Sequence, residues 1–390
     1  MKPCEQKHSS LHSHTAIRPT RYGPRPSLSS SIAHKRFVKA MSSNLKLFQP
    51  IQVGDMALSH RVVMCPLTRS RAHASHAHSD LAIEYYSQRA SVPGTLLISE
   101  ATFICAKAGG FRHVPGIWST EQIAAWKRIT DAVHIKGSFF FSSFGLWAVR
   151  LIQRPAPRPL TKSEIREYVE AFGTAASNAV HGAGFDGVEI HGANGYLVEQ
   201  FLKDGVNTRT DEYGGSVENR CRFALEVVNS VVCAVGASKT AIRFSPWGDL
   251  YEERMKNPVP TFAHLTMKLK ELYPDFAYIH VVEPAATGDR DRRVLQHESN
   301  NFIRDIWAPK ALISAGGYTR KTALAVAERT GELIAFGRPF IGNPDLPLRL
   351  RYDIPLAASN RKTWYTHLSP KGYIDYPRAD EDPRVVQSKL

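Results

Sequence analysis

The sequence predicts an α/β fold, a single closed (β/α)8 barrel of the TIM type, on three observations. Eight short β-branched or aromatic runs alternate with helical stretches from Leu47 onward. The Gly-x-Gly-x-x-Gly turn that opens a doubly wound sheet is absent. The last two runs end in glycine turns, Ser314-Ala-Gly-Gly-Tyr318 and Phe336-Gly-Arg338-Pro339, where such barrels commonly bind phosphate.

The predicted strands are Arg61–Met64, Thr95–Ile104, Ser138–Phe144, Gly187–His191, Ala241–Ser245, Phe276–Val282, Ala311–Ala315 and Leu333–Phe336. Between them, the clearest helices are Thr120–Lys136, Lys162–His181, Val217–Val235 and Arg320–Arg329. Thr120, and Thr161 with Glu164, read as N-terminal caps. Phe139, Phe140, Phe141 and Phe144 form an unusually aromatic run for a barrel interior.

Residues 1–43 read as a disordered or targeting tail and residues 44–390 as the barrel. The tail is rich in Ser, His, Arg and Pro and poor in acids. The net charge is +14. Through Lys39 there are eight basic residues against Glu5 alone, so half of the excess lies in the tail. The remainder shows no basic stripe interleaved with aromatics, which argues against nucleic acid. No run of about 18 apolar residues is present to span a membrane. The five cysteines are odd in number and contain no Cys-x-x-Cys. They read as buried thiols in a reducing, cytoplasmic compartment, with mitochondrial targeting by residues 1–40 and a start at Met41 as alternatives. His73, His76 and His78 have ligand-like spacing but no acid or cysteine beside them in sequence, so they read as a solvated loop; no metal is expected.

The chemistry is concentrated in His191-Gly-Ala-Asn194-Gly-Tyr196, directly after the apolar run that ends at Ile190. Two donors and a phenol at a strand end suit a site that holds an electron-poor oxygen and delivers a proton. The paired glycines Gly316 and Gly317, with Gly337 and Arg338, suit a phosphate on a substrate or on a cofactor such as FMN. Arg243 places a permanent cation in the barrel mouth, where the edge of a flavin would satisfy it; pairing with Glu189 is the alternative.

These residues resemble the Old Yellow Enzyme family of flavin-dependent ene-reductases. The resemblance is carried by His60–Arg71, Ser99–Thr102, Pro115–Ser119, Ala183–Tyr196, Gln200–Asp204, Asn207–Arg220, Arg243–Gly248, the two glycine turns and Gly372–Pro377, and covers about Leu45 to Pro377. It implies an FMN-binding barrel in which Pro66, Leu67, Thr68 and Ala101 contact the flavin ring and Arg243 its N1/O2 edge. Gly316, Gly317, Gly337 and Arg338 would cradle the phosphate. His191 and Asn194 would bind a substrate carbonyl, Tyr196 would be the proton donor, and Trp364 and Tyr365 would lie over flavin and substrate.

One stretch departs from the family. Where the resemblance implies a glutamine touching the flavin pyrimidine, the chain has Gly145, in Phe144-Gly145-Leu146-Trp147. The loop that follows, Arg150 to Pro157, is shorter than that of relatives by roughly 20 residues. A mistaken exon boundary, a variant with altered substrate access and a degenerate member compete to explain this.

The expected activity is FMN-dependent, ping-pong reduction of the C=C bond of an enone by NADPH or NADH, in a monomer or homodimer. The alternatives are an inactive flavin-binding homologue and a barrel isomerase or aldolase acting on a phosphorylated substrate.

Overall fold

The computed structural model describes residues 44–145, 158–250, 254–288 and 290–382. The tail, Leu146, Trp147 and the loop from Arg150 to Pro157 lie outside them.

Eight parallel strands close on themselves. They are β1 Val62–Met64, β2 Leu96–Ile98, β3 Phe139–Phe144, β4 Gly187–Gly192, β5 Thr240–Phe244, β6 Tyr278–Val282, β7 Leu312–Ala315 and β8 Leu333–Phe336. Closure is made where Ile334 of β8 pairs with Val62 of β1. Helices α1 Leu81–Arg89, α2 Thr120–Ile135, α3 Lys162–Ser177, α4 Val217–Val235, α5 Val259–Leu272, α6 Asn301–Trp307, α7 Arg320–Thr330 and α8 Leu346–Tyr352 follow the strands in turn. All eight expected strands are found. The expected Thr95–Ile104 run is continuous strand only to Ile98: Ser99 and Thr102 turn their hydroxyls onto the Glu100 carbonyl, the chain bulges there, and Thr102 rejoins β3 by a single bridge to Phe144.

The alternation of the strands builds two cores. Val62, Met64, Leu97, Phe140, Phe144, Ile190 and Ile242 pack against the helices. Val63, Leu96, Ile98, Phe141, Ile313 and Leu333 fill the barrel. The aromatic run of β3 is therefore shared: Phe139 and Phe141 face inward, while Phe140 and Phe144 face the helix layer. A hairpin of Ile51–Val53 and Met56–Leu58 packs Val53, Met56 and Leu58 onto the inner core.

The helix caps follow ordinary capping chemistry. Thr161 and Glu164 form a capping box, as expected. For α2 the cap is Ser119, not Thr120: its side chain accepts from the Gln122 N–H, and Gln122 returns the bond. Two further expectations need correction. His73 is exposed, but His78 is buried edge-on against Trp126, 4.3 Å between ring centres, so only part of the His73–His78 stretch is solvated. Of the cysteines, Cys65 and Cys221 are buried, whereas Cys105 is half-buried and Cys233 exposed. No helix among the described residues is long and apolar enough to cross a membrane.

Candidate active site

One cavity of about 1450 Å³ opens at the C-terminal end of the barrel strands. Pro66, Leu67, Thr68, Ala101, His191, Asn194, Tyr196, Arg243, Gly316, Gly317, Gly337, Arg338 and Tyr365 all line it, so residues spread over 300 positions of sequence meet at one mouth.

His191 is the penultimate residue of β4 and is buried. Burial, then the Arg243 and His280 charges, hold its pKa well below the usual imidazole value, so it is a neutral hydrogen-bonding group at neutral pH. The Tyr196 ring stands beside it, 4.5 Å between centres. Asn194 adopts a left-handed backbone, φ +56°, and its N–H donates to Ser245 Oγ at 2.8 Å. Three residues that the motif did not point to hold this loop. Buried Glu199 accepts from the Gly195 N–H at 2.5 Å and from the Ser245 hydroxyl. Lys203 pairs with Glu199 at 3.3 Å and donates to the Gly248 carbonyl. An acid and a lysine four residues apart, on and just after the mostly apolar short helix Leu197–Leu202, were the available signal.

Arg243, on β5, is 9% exposed, its Nε has no partner, and no carboxylate pairs with it among the described residues. The alternative partner, Glu189, is taken by His280 Nδ1 at 2.8 Å. A buried cation left in this state costs several kcal/mol unless an anionic or polar group arrives. After β7, Gly316 has φ +130°, and a Cβ there would lie 3.2 Å from Ala286 Cβ and 3.3 Å from Glu283 Cβ. This is a turn only glycine can make, and it leaves backbone room for a phosphate. Arg338, after β8, pairs across that turn with Asp291. A cation at one end, a glycine cradle at the other and the Pro66–Thr68 wall between them fit FMN.

At the third-strand departure, Gly145 is buried. A Cβ there would lie 3.0 Å from Ala101 Cβ and 3.9 Å from His191 Cδ2, so this position borders the cavity floor. At the outer edge, Trp364 is buried and Tyr365 half-exposed, 6.5 Å between ring centres.

A barrel with this strand-end cavity and phosphate cradle defines a class of flavin-dependent oxidoreductases. The NADH:flavin oxidoreductase / NADH oxidase family model matches residues 46–150 and 148–357, the seam falling in the sequence after β3. An NADP-dependent oxidoreductase, lnbE, from Aspergillus flavus is 45% identical, with 88% of this chain and 99% of that protein covered. Chanoclavine-I aldehyde reductase fgaOx3 of Penicillium roqueforti is 44% identical over 88% of this chain and 99% of its own length. A Claviceps fusiformis protein described as a probable inactive dehydrogenase, easA, is 41% identical over 87% and 96%. Among solved structures, the Old Yellow Enzyme homologue of Zymomonas mobilis superposes with a TM-score of 0.78 at 38% identity, covering 85% of this chain and 99% of that one. The chain belongs to the Old Yellow Enzyme family of FMN-binding, NADP-linked oxidoreductases.

Proposed function

We propose that the chain reduces the C=C bond of α,β-unsaturated carbonyl compounds, taking electrons from NADPH in a first half-reaction and passing them to the alkene in a second. The observation that carries this reading is the His191–Tyr196 ring pair, 4.5 Å apart in the cavity that also holds Arg243. Bound FMN supplies hydride transfer. His191, kept neutral, and Asn194 would donate to the substrate carbonyl oxygen, where negative charge grows as the alkene is reduced; donors preset there favour the transition state over the ground state. Tyr196, shielded beside His191, would place a proton on the α-carbon. Pro66, Leu67, Thr68 and Ala101 would hold the ring, Arg243 its pyrimidine edge, and Gly316, Gly317, Gly337 and Arg338 the phosphate.

A second reading, a flavin-binding chain without turnover, is favoured by Gly145, which lacks the amide expected at the pyrimidine. The aldolase or isomerase reading has no support left once the family is known.

The test is anaerobic. NADPH should bleach the bound flavin, and 2-cyclohexenone should restore the yellow colour and yield cyclohexanone. Bleaching without alkene reduction would leave the second reading standing. In Tyr196→Phe, reoxidation by the enone should slow by roughly 10²- to 10⁴-fold, the usual contribution of a general acid, with bleaching by NADPH nearly unchanged. Equal losses in both halves would remove Tyr196 from its role.

A further inference from the structure

The barrel interior is apolar on one side and, on the other, carries polar groups among Phe139, Phe141 and Ala241. Inward positions of β1, β2, β7 and β8 carry residues such as Val63, Leu96, Ile98 and Ile313. Those of β3 to β6 carry Ser143, Glu189, His191, Arg243, Tyr278 and His280, none more than 9% exposed. Each of these six has a buried polar atom without a partner: Ser143 Oγ, Glu189 Oε1, His191 Nδ1, Arg243 Nε, Tyr278 Oη and His280 Nε2. A closed core does not carry six such atoms on four adjacent strands without a reason.

Two of these unpartnered atoms are complementary. His280 Nδ1 lies 2.8 Å from Glu189 Oε2. A carboxylate only accepts, so Nδ1 carries the hydrogen and Nε2 is left as a bare acceptor. Arg243 is the register neighbour of His280 across β5 and β6, and its Nε–H is a donor without an acceptor. We propose that Glu189 and His280 are positioning residues for Arg243. Glu189 fixes the imidazole so that Nε2 takes the Arg243 Nε–H through one bridging water, which leaves the terminal guanidinium N–H groups for the flavin edge. The same carboxylate, buried two residues before His191 on β4, would act as a fixed negative charge opposing the negative charge that reduction of a bound flavin adds. The relay would thus set the flavin's reduction potential, whatever the substrate; it rests on Arg243 meeting the flavin.

The experiment is the midpoint potential of the FMN-loaded protein, measured spectroelectrochemically. Glu189→Gln removes the charge and should move the oxidised-to-reduced equilibrium about tenfold toward reduced, about 30 mV upward for a two-electron couple. His280→Leu removes the acceptor that holds Arg243 but leaves the carboxylate, and should move the equilibrium in the opposite direction. His280→Gln, whose amide can donate to Glu189 and accept from Arg243, should stay at the wild-type potential. Wild-type potentials in Glu189→Gln and His280→Leu would overturn the proposal, as would a shift in His280→Gln equal to that in His280→Leu. Should Glu189→Gln fail to fold, the two His280 variants decide alone. Arg243→Met separates the two levels: if it neither lowers the potential nor weakens FMN binding, Arg243 itself is misplaced; if it does either, a null result in the relay variants condemns the relay only.

Discussion

The Arg71 guanidinium donates from Nη1 to the Trp364 carbonyl at 2.5 Å, tying the loop that carries Thr68 to the segment that carries Tyr365. The same side chain reaches the Thr363 carbonyl at 2.8 Å, Lys371 at 3.2 Å and Ser369 at 3.3 Å, and it lies over the Tyr373 ring. Arg69 adds bonds to Trp364 and Gly372. These arginines stand three and one residues after Thr68, so the wall of the flavin site and the aromatic edge of the mouth are held as one piece.

Removing that clamp should loosen the edge before it harms the barrel. In Arg71→Ala several carbonyls lose their donor at once, each worth about 1 kcal/mol or more. Amide exchange over residues 359–377 should quicken. Binding of p-hydroxybenzaldehyde, followed by its long-wavelength charge-transfer band, should weaken about tenfold, a loss of roughly 1.4 kcal/mol. Unchanged exchange in this segment would show that the clamp does not hold it.

Glu100, beside Ala101, makes stability depend on pH. It is fully buried, accepts the Arg69 N–H at 3.1 Å and lies 3.8 Å from His78. Burial pushes its pKa up to about 7, although N–H donors and arginine charges pull the other way. A carboxyl raised in the folded state favours folding below its ordinary value near 4.5, and that stability is lost as pH rises through about 7. A shift of this size corresponds to about 3 kcal/mol in order of magnitude. Relative to wild type, Glu100→Gln should therefore gain stability in urea unfolding between pH 6.5 and pH 8. His60, lowered to about 3 by burial, loses stability as pH falls below the ordinary imidazole value, but it does so in both proteins and cancels in the comparison; His78, likewise lowered to about 3, touches Glu100, so the comparison is read above pH 6.5, where His78 is neutral in both. Parallel profiles would show that Glu100 is ionised at no cost.

The eight strands were legible because each is a short, almost wholly buried run rich in β-branched or aromatic residues, and a run such as Gly187–Ile190 can be little else between glycine turns. The cavity residues were legible because they sit at strand ends in short motifs. The supports were not. Arg71 meets Trp364 across 293 positions, and Glu199 meets Ser245 across 46, so no local pattern announces either pair. The hairpin from Ile51 to Leu58 has three-residue strands, too short for alternation to show. The Ser119 cap was missed by one residue, since a Ser-Thr pair offers two capping hydroxyls and only Ser119 has Gln122 three positions on.

Gly145 leads to a repair experiment. A glutamine there would bring its Cβ to 3.0 Å from Ala101 Cβ, a contact too tight to accept without displacement. Gly145→Gln alone should therefore gain little FMN affinity. With Ala101→Gly added, the amide should reach the pyrimidine and tighten FMN by roughly five- to tenfold, the worth of one hydrogen bond. Titration of the deflavinated protein by quenching of FMN fluorescence reads both. If the single variant gains as much as the double, Ala101 is not the obstacle.

Asp291 stands where the phosphate charge is expected. It pairs with Arg338, both side chains substantially exposed, and a Cβ on Gly317 would lie 4.0 Å from its Oδ1. An exposed pair is worth at most about 1 kcal/mol, so a phosphate can displace it, but the displaced carboxylate still repels the incoming anion. Asp291→Asn should tighten FMN about three- to tenfold at low ionic strength, and the gain should shrink at about 0.5 M salt as screening shortens the reach of the charge. Arg338→Ala should act in the opposite direction on FMN. Riboflavin, which has the ring but no phosphate, should bind all three proteins alike. If riboflavin follows FMN in these variants, Arg338 and Asp291 act on the ring site and the phosphate assignment for Gly316, Gly317 and Arg338 is lost.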